Sequence, residues 1–306
     1  MSERVLAWGG PRPRVPTGLA GELRAHLESG IAEVAASLRA PRTRALTVTR
    51  WAVDRAVCDG LQLEPEPFRH TAAISRGLLA REAVLRDWER ERRDDPERVV
   101  AAVWHEAASR RPGDPRSLSA WLNELEPAAA ARLAAEVTDL LHTFREVWPW
   151  LPSELVATEL GRTRELTLSG GAVVVRGGVD LAIDSHHDDG RARTLIVDLK
   201  SGRPRPERDR RHARFAALMT TLAVGRPPFR WVTYHLPEGR AELEDLDAGA
   251  LHTTVEAIVA TVAQLVRLDG VPPGVPDERL RLAAGAWCPD CRRREDCSER
   301  LGSASS

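Results

Sequence analysis

Three short runs rich in Val, Ile, Leu and Thr, then one helical stretch, then a fourth such run leave few ways to fold the second half of this chain. The first three runs cover residues 155–168, 172–183 and 194–199, the helical stretch 206–224, and the fourth run 229–235. A further helix follows over about 248–268 and ends at Gly270. A meander that feeds a helical crossover to another strand predicts a mixed sheet with helices against it, an α/β sandwich. The first half, to about Trp150, alternates apolar and charged residues at helical spacing, as over 75–90 and 128–147, and predicts an all-helical segment. Proline clusters over 11–16, 65–67, 112–115 and 149–152 mark breaks. Three segments follow: a helical 1–152 carrying the first cysteine, a core over 153–285, and a cysteine-rich 286–306.

Basic and acidic residues nearly cancel, 44 against 45, so any affinity for nucleic acid must rest on a local patch rather than a global field. The first ten residues lack the apolar run of a signal peptide, and no segment reads as apolar for long enough to span a bilayer. A cytoplasmic protein without membrane contact is expected. Arginine is abundant, and Lys200 is the only lysine in the chain. A lysine is a compact point charge able to polarise a water or meet charge developing on phosphate, which a guanidinium does less well. Its isolation among arginines singles it out.

On a strand, alternate side chains share a face, so Asp198 and Lys200 point one way while Leu195, Val197 and Leu199 point into the core. In the preceding run Val179, Leu181 and Ile183 form the apolar face, with Gly178, Asp180 and Ala182 on the other. Residues 185–193 suit a hairpin loop, and pairing the two runs brings Asp180 towards Asp198. Two carboxylates beside one ammonium offer the oxygen ligands Mg²⁺ or Mn²⁺ takes, with positions left for water and a phosphate. The chemistry implied is phosphodiester hydrolysis. The alternative is a surface Asp198–Lys200 ion pair of little energetic weight.

Arg203, Arg205, Arg208, Arg210, Arg211 and Arg214 crowd the start of the following helix. Positive charge there opposes the helix dipole unless an anion such as a nucleic-acid backbone is near. Arg211, Phe215, Leu218 and Leu222 recur at helical spacing, which places Arg211 at the head of the buried stripe. A merely solvated arginine face is the other reading.

Four cysteines, Cys58 and the trio Cys288, Cys291 and Cys297, form the full complement for a zinc ion or an iron–sulfur cluster. Zinc ribbons offer two close pairs, whereas one ligand here is remote from three, which favours a cluster that ties the chain's end to its beginning. Free cysteines are the alternative.

Together these motifs resemble the RecB-type branch of the PD-(D/E)xK nuclease superfamily, in particular the AddB and CRISPR-associated nucleases that carry a [4Fe–4S] cluster. Thr47-Val-Thr-Arg50 with Cys58 is similar to that family's opening motif and first cluster cysteine. Gly178-Val-Asp180 resembles its first metal carboxylate, Asp198-Leu-Lys200 its second carboxylate and lysine, and Cys288, Cys291 and Cys297 its trailing trio. The resemblance implies a restriction-endonuclease-like mixed sheet flanked by helices, Mg²⁺ or Mn²⁺ at Asp180 and Asp198, and an auxiliary carboxylate in Glu159. It also implies Arg203, Arg205, Arg208 and Arg211 as contacts to single-stranded DNA or duplex ends, and a role in repair, recombination or defence.

Two positions depart from the family pattern. Gly77-Leu-Leu-Ala-Arg81 ends in arginine where a metal-binding histidine is usual, and Arg211 to Phe215 replaces a Gln-x-x-x-Tyr helix motif. His70 or His105 are the histidines that would substitute for the missing ligand. Three functions are therefore carried forward: a DNA nuclease, a catalytically weakened nucleic-acid-binding subunit of a larger nuclease complex, and a zinc-stabilised interaction protein. The chain lacks a phosphate loop with its own lysine, so a helicase motor would come from a separate partner.

Overall fold

The computed structural model of the chain describes residues 16–36, 45–88, 94–110, 117–148, 155–185, 194–245 and 247–303. The proline breaks at 112–115 and 149–152, most of the hairpin loop of 185–193 and the first ten residues lie outside them.

The N-terminal half holds helices α1 (Leu19–Ala35), α2 (Arg50–Arg55), α3 (Asp59–Leu63), α4 (Ala72–Trp88), α5 (Pro96–Ser109), α6 (Leu118–Asn123) and α7 (Pro127–Val147). It is not all helical. Leu46–Val48 forms a strand, β1, because two apolar residues flank one exposed threonine and find a partner far along the chain. Thr49 then caps α2, its hydroxyl accepting from the Ala52 amide at 3.3 Å.

The second half runs β2 (Leu155–Leu160), β3 (Thr163–Leu168), β4 (Val173–Gly178), β5 (Leu181–Ser185), β6 (Leu195–Lys200), α8 (Pro206–Val224), β7 (Arg230–His235), β8 (Arg240–Asp245) and α9 (Ala248–Arg267), with α10 (Ser298–Ser303) near the end. Among the described residues the strands form a five-stranded sheet, β2-β5-β6-β7-β8, and a three-stranded one, β1-β4-β3. In the larger sheet β6 and β7 are parallel, joined through α8, and the other pairs are antiparallel.

Two of the expected runs are each divided between the sheets. Gly161, at φ 60°, turns β2 into β3. The chain leaves β4 after Gly178, where a Cβ would strike the Arg162 carbonyl, and joins β5 at Leu181. The alternation predicted across 172–183 breaks there: Val179 packs with Val173 and Val175, whereas Leu181 and Ile183 pack on the opposite side of the large sheet. Asp180 thus occupies the junction of two sheets rather than the middle of one strand.

One face of the large sheet, through Leu181, Ile183, Leu195, Val197, Val232 and Tyr234, packs against α4, α5 and α7. The other face, through Ala182, Ile196 and Trp231, meets α8, with α1, α9 and the small sheet beyond. Helices thus cover both faces of a mixed sheet, the α/β architecture expected. α9 has the length and apolar content of a membrane-crossing helix, unlike the sequence reading, yet it buries Leu251, Val255, Ile258 and Val262 in this second core.

Candidate active site

β6 ends on the α8 side of the sheet with Asp198 and Lys200 sharing one face, as alternation requires. Lys200 Nζ lies 2.5 Å from Asp198 Oδ2 and 3.9 Å from Asp209 Oδ1 on α8. The first contact is a charge-assisted ion pair at the buried end of the Asp198 carboxylate. Asp198 is only 7% exposed. Burial alone would raise its carboxyl, but Lys200 and then Arg50, whose Nη1 stands 3.4 Å from Oδ1, hold it down at about 2.

Asp180 reaches the same place from the sheet junction. Its Oδ2 accepts the Leu199 amide hydrogen at 2.8 Å, so its carboxylate docks on the peptide between Asp198 and Lys200. Its Oδ1 is paired with Arg81 Nε. Burial, and then the neighbouring Asp198 charge, push the Asp180 carboxyl upward, against the pull of Arg81. The three residues singled out from sequence therefore converge, and Arg81 joins them. Glu159 pairs its backbone with Ala182 beside a register shift in β2, and its side chain lies outside the described ones.

α4 brings Arg81 in because it lies close on the end of β6. Gly77 faces Ser201, where a Cβ would meet Ser201 Oγ at 2.6 Å, and Arg76 Nη2 donates to the Ser201 carbonyl at 3.1 Å. Neither His70 nor His105 takes the place of the missing histidine: His70 lies against Ser75, Phe68 and Trp121, and His105 is on exposed surface of α5.

The start of α8 differs from its sequence reading. Glu207 and Asp209 in its first turn offset the arginines, and Asp209 Oδ2 accepts the Arg205 amide hydrogen at 2.8 Å. Arg208 and Arg211 both pair with Asp54 of α2, at 2.8 Å and 3.3 Å. Arg211 is half exposed, and the residue on the buried face there is instead His212, whose Nε2 is 2.7 Å from Asp54 Oδ2. Stepping back from Phe215 by three residues rather than four finds it. Burial lowers the His212 pKa, and Arg50 and Lys200 add to that against the pull of Asp54. Arg203 and Arg205 lie just ahead of the first turn of α8. Arg50 entered the sequence reading only as the end of the Thr47-Val-Thr-Arg50 motif, and Asp54 and His212 not at all, because long-range packing of α2 on α8 is what brings them together.

The cysteines gather elsewhere. Cys58, at the start of α3, lines one pocket with Cys288, Cys291 and Cys297, among Leu61, Leu282, Ala283 and Trp287. None of the four is joined in a disulfide. Burial raises the Cys291 thiol, and Cys58 and Cys297 add to it against the Arg293 amide. Backbone bonds from Glu66 N to Asp290 O (2.9 Å) and Arg292 N to Glu64 O (3.1 Å) zip the two ends of the chain together. Beside Cys58, buried Asp59 accepts from Gln264 at 2.8 Å and from the Arg281 amide at 2.7 Å.

At the carboxylates the donors are hard oxygens suited to Mg²⁺ or Mn²⁺, which keeps several waters and needs few protein ligands. The guanidinium of Arg81 now supplies the positive charge such a cation would bring. Among the described residues no three His, Cys, Asp or Glu side chains stand close enough together to hold a single metal ion. A family model described as the PD-(D/E)XK nuclease superfamily matches residues 55–298. No curated protein matches the chain.

Proposed function

The chain belongs to the PD-(D/E)XK nuclease superfamily, and from that premise we propose that it is a metal-dependent hydrolase of DNA phosphodiester bonds acting through Asp180, Asp198 and Lys200. The observation that carries this reading is the docking of the Asp180 carboxylate on the Leu199 amide, between Asp198 and Lys200. Mg²⁺ or Mn²⁺ held by Asp180 and Asp198 would supply charge neutralisation and a more acidic water. Lys200 orients the attacking water and balances charge on the scissile phosphate, while Asp198 keeps the ammonium in place. Arg203, Arg205, Arg208 and Arg211 draw in the DNA backbone, and Glu159 serves as an auxiliary carboxylate. The test is digestion of end-labelled single strands and blunt duplexes: cleavage with Mg²⁺ or Mn²⁺ and none with chelator is expected. Binding without cleavage under either metal would overturn hydrolysis. It would favour instead a weakened DNA-binding subunit, a reading supported by Arg81 sitting on Asp180.

Within the superfamily the RecB-type iron–sulfur branch fits best, because four thiols separated so far in sequence line one pocket. Zinc draws its thiolates around one small ion, whereas a [4Fe–4S] cluster spreads them over a larger cage. The three segments 1–152, 153–285 and 286–306 then act as an opening helical unit, a catalytic core and a cysteine clasp. A cytoplasmic setting in repair, recombination or defence, with a separate helicase or nuclease-complex subunit, completes the reading. Cys58→Ala is expected to lose iron and the visible absorption of the cluster, with a lower melting temperature. Stoichiometric zinc without iron in anaerobically prepared protein would replace the cluster with a zinc clasp.

A further inference from the structure

Trp51 is the one exposed tryptophan among the described residues, 47% accessible on the first turn of α2. An indole left in water forgoes one of the largest burial gains a side chain offers, so its position calls for a partner. Its surroundings are cationic and fixed. The Arg208 guanidinium lies 4.6 Å from the ring centroid and that of Arg50 5.5 Å. The buried His212 ring meets the indole edge-on at 5.0 Å. Asp54 locks this arrangement by accepting from Arg208 and His212 at once, and Arg211 extends it to the surface.

The platform adjoins the reacting centre. Arg50 reaches Asp198 with one end of its guanidinium and the Trp51 ring with the same group, so a single side chain separates the indole from the catalytic carboxylate. A nucleotide whose phosphate sits at Asp198 and Lys200 would bring its base within reach of the half-open indole, and its neighbouring phosphates near Arg208 and Arg211.

We propose that Trp51 is a stacking platform for an unpaired nucleobase next to the scissile phosphate, so that the site selects single-stranded nucleic acid over intact duplex. The proposal rests on the nuclease reading of the same cleft. A base engages an aromatic face only when it has left its own stack, whereas a base inside a duplex has no free face to give. Cation–π contacts from Arg208 and Arg50 hold the indole in place and enrich the same spot in charge for the backbone.

The test is binding of labelled oligothymidylate, an abasic phosphodiester oligomer of equal length and a blunt duplex, in chelator, to the wild type and to Trp51→Leu and Trp51→Phe. Trp51→Leu is expected to weaken oligothymidylate binding by about 5- to 150-fold. Affinity for the abasic oligomer should stay within about twofold, and Trp51→Phe should recover most of the loss. An equal loss for the abasic oligomer, or no loss for oligothymidylate, would overturn the platform. Wild-type protein that cleaves DNA yet binds the two oligomers alike would overturn the platform and leave the nuclease standing. Wild-type protein that neither binds nor cleaves would bring down both.

Discussion

Lys200→Ala is expected to slow single-turnover cleavage of labelled single-stranded DNA by about 10²–10³-fold while leaving KM and thermal unfolding little changed. The ammonium is the charge nearest Asp198 and the larger of the two cations that hold its carboxyl at about 2. Its loss removes a contact made to the developing charge of the transition state, and Arg50 remains to keep Asp198 ionised. Lys200→Arg is expected to fail as well, because a planar guanidinium between Asp198 and Asp209 cannot stand where the point charge stands. In a chain that uses arginine for every other cationic side chain, that substitution is the sharper one. Wild-type rates in Lys200→Arg would remove the ammonium from the chemistry.

Arg81→Ala is expected to lower the stability of metal-free protein by about 3 kcal/mol and, in the same variant, to enlarge the stabilisation that Mn²⁺ provides. Arg81 is the cation on Asp180, and its removal leaves a buried carboxylate beside the charge of Asp198 with only the Leu199 amide to satisfy it. A divalent ion then takes over what the guanidinium did. In the wild type the ion must first displace that guanidinium, so metal affinity is lower by the strength of the internal pair. Arg81→His, which restores a neutral ligand, should also tighten metal binding. The measurement is the melting temperature of each protein with and without Mn²⁺. Equal metal-induced shifts in wild type and variants would show that Arg81 and the cation do not compete.

The shared face of Asp198 and Lys200 was legible because strand alternation is a local rule: Leu195, Val197 and Leu199 fix which way the two point. Asp180 was legible as a residue but not as a place, since nothing in its local pattern marks the crossing from one sheet to another. β8 escaped notice because an edge strand buries little, and Arg-Ala-Glu-Leu-Glu-Asp shows only Ala241 and Leu243 as apolar residues. β1 is too short to show a period. The meeting of His212 and Asp54 with Arg50 was invisible because the first two are ordinary in their own segments and Arg50 was marked only as the end of a short motif. The nearness of Cys58 to the trio was inferred from chemistry, as no local signal spans that separation.

The parallel pairing of β1 with β4, Leu46 beside Val173, also dictates an order of events during synthesis. Parallel neighbours cannot be joined by a tight turn, so β1 must wait, unpaired, until Val173–Val175 has left the ribosome. Arg50 and Trp51 follow β1 directly and wait with it. β6 in turn is an edge strand until β7 emerges, still later. The nascent chain therefore makes its scaffold helices before its sheets are complete, passing through a stage in which two strands are open to the wrong partner. A chain released before β7 would carry Asp180, Asp198 and Lys200 and still lack the strand that flanks β6.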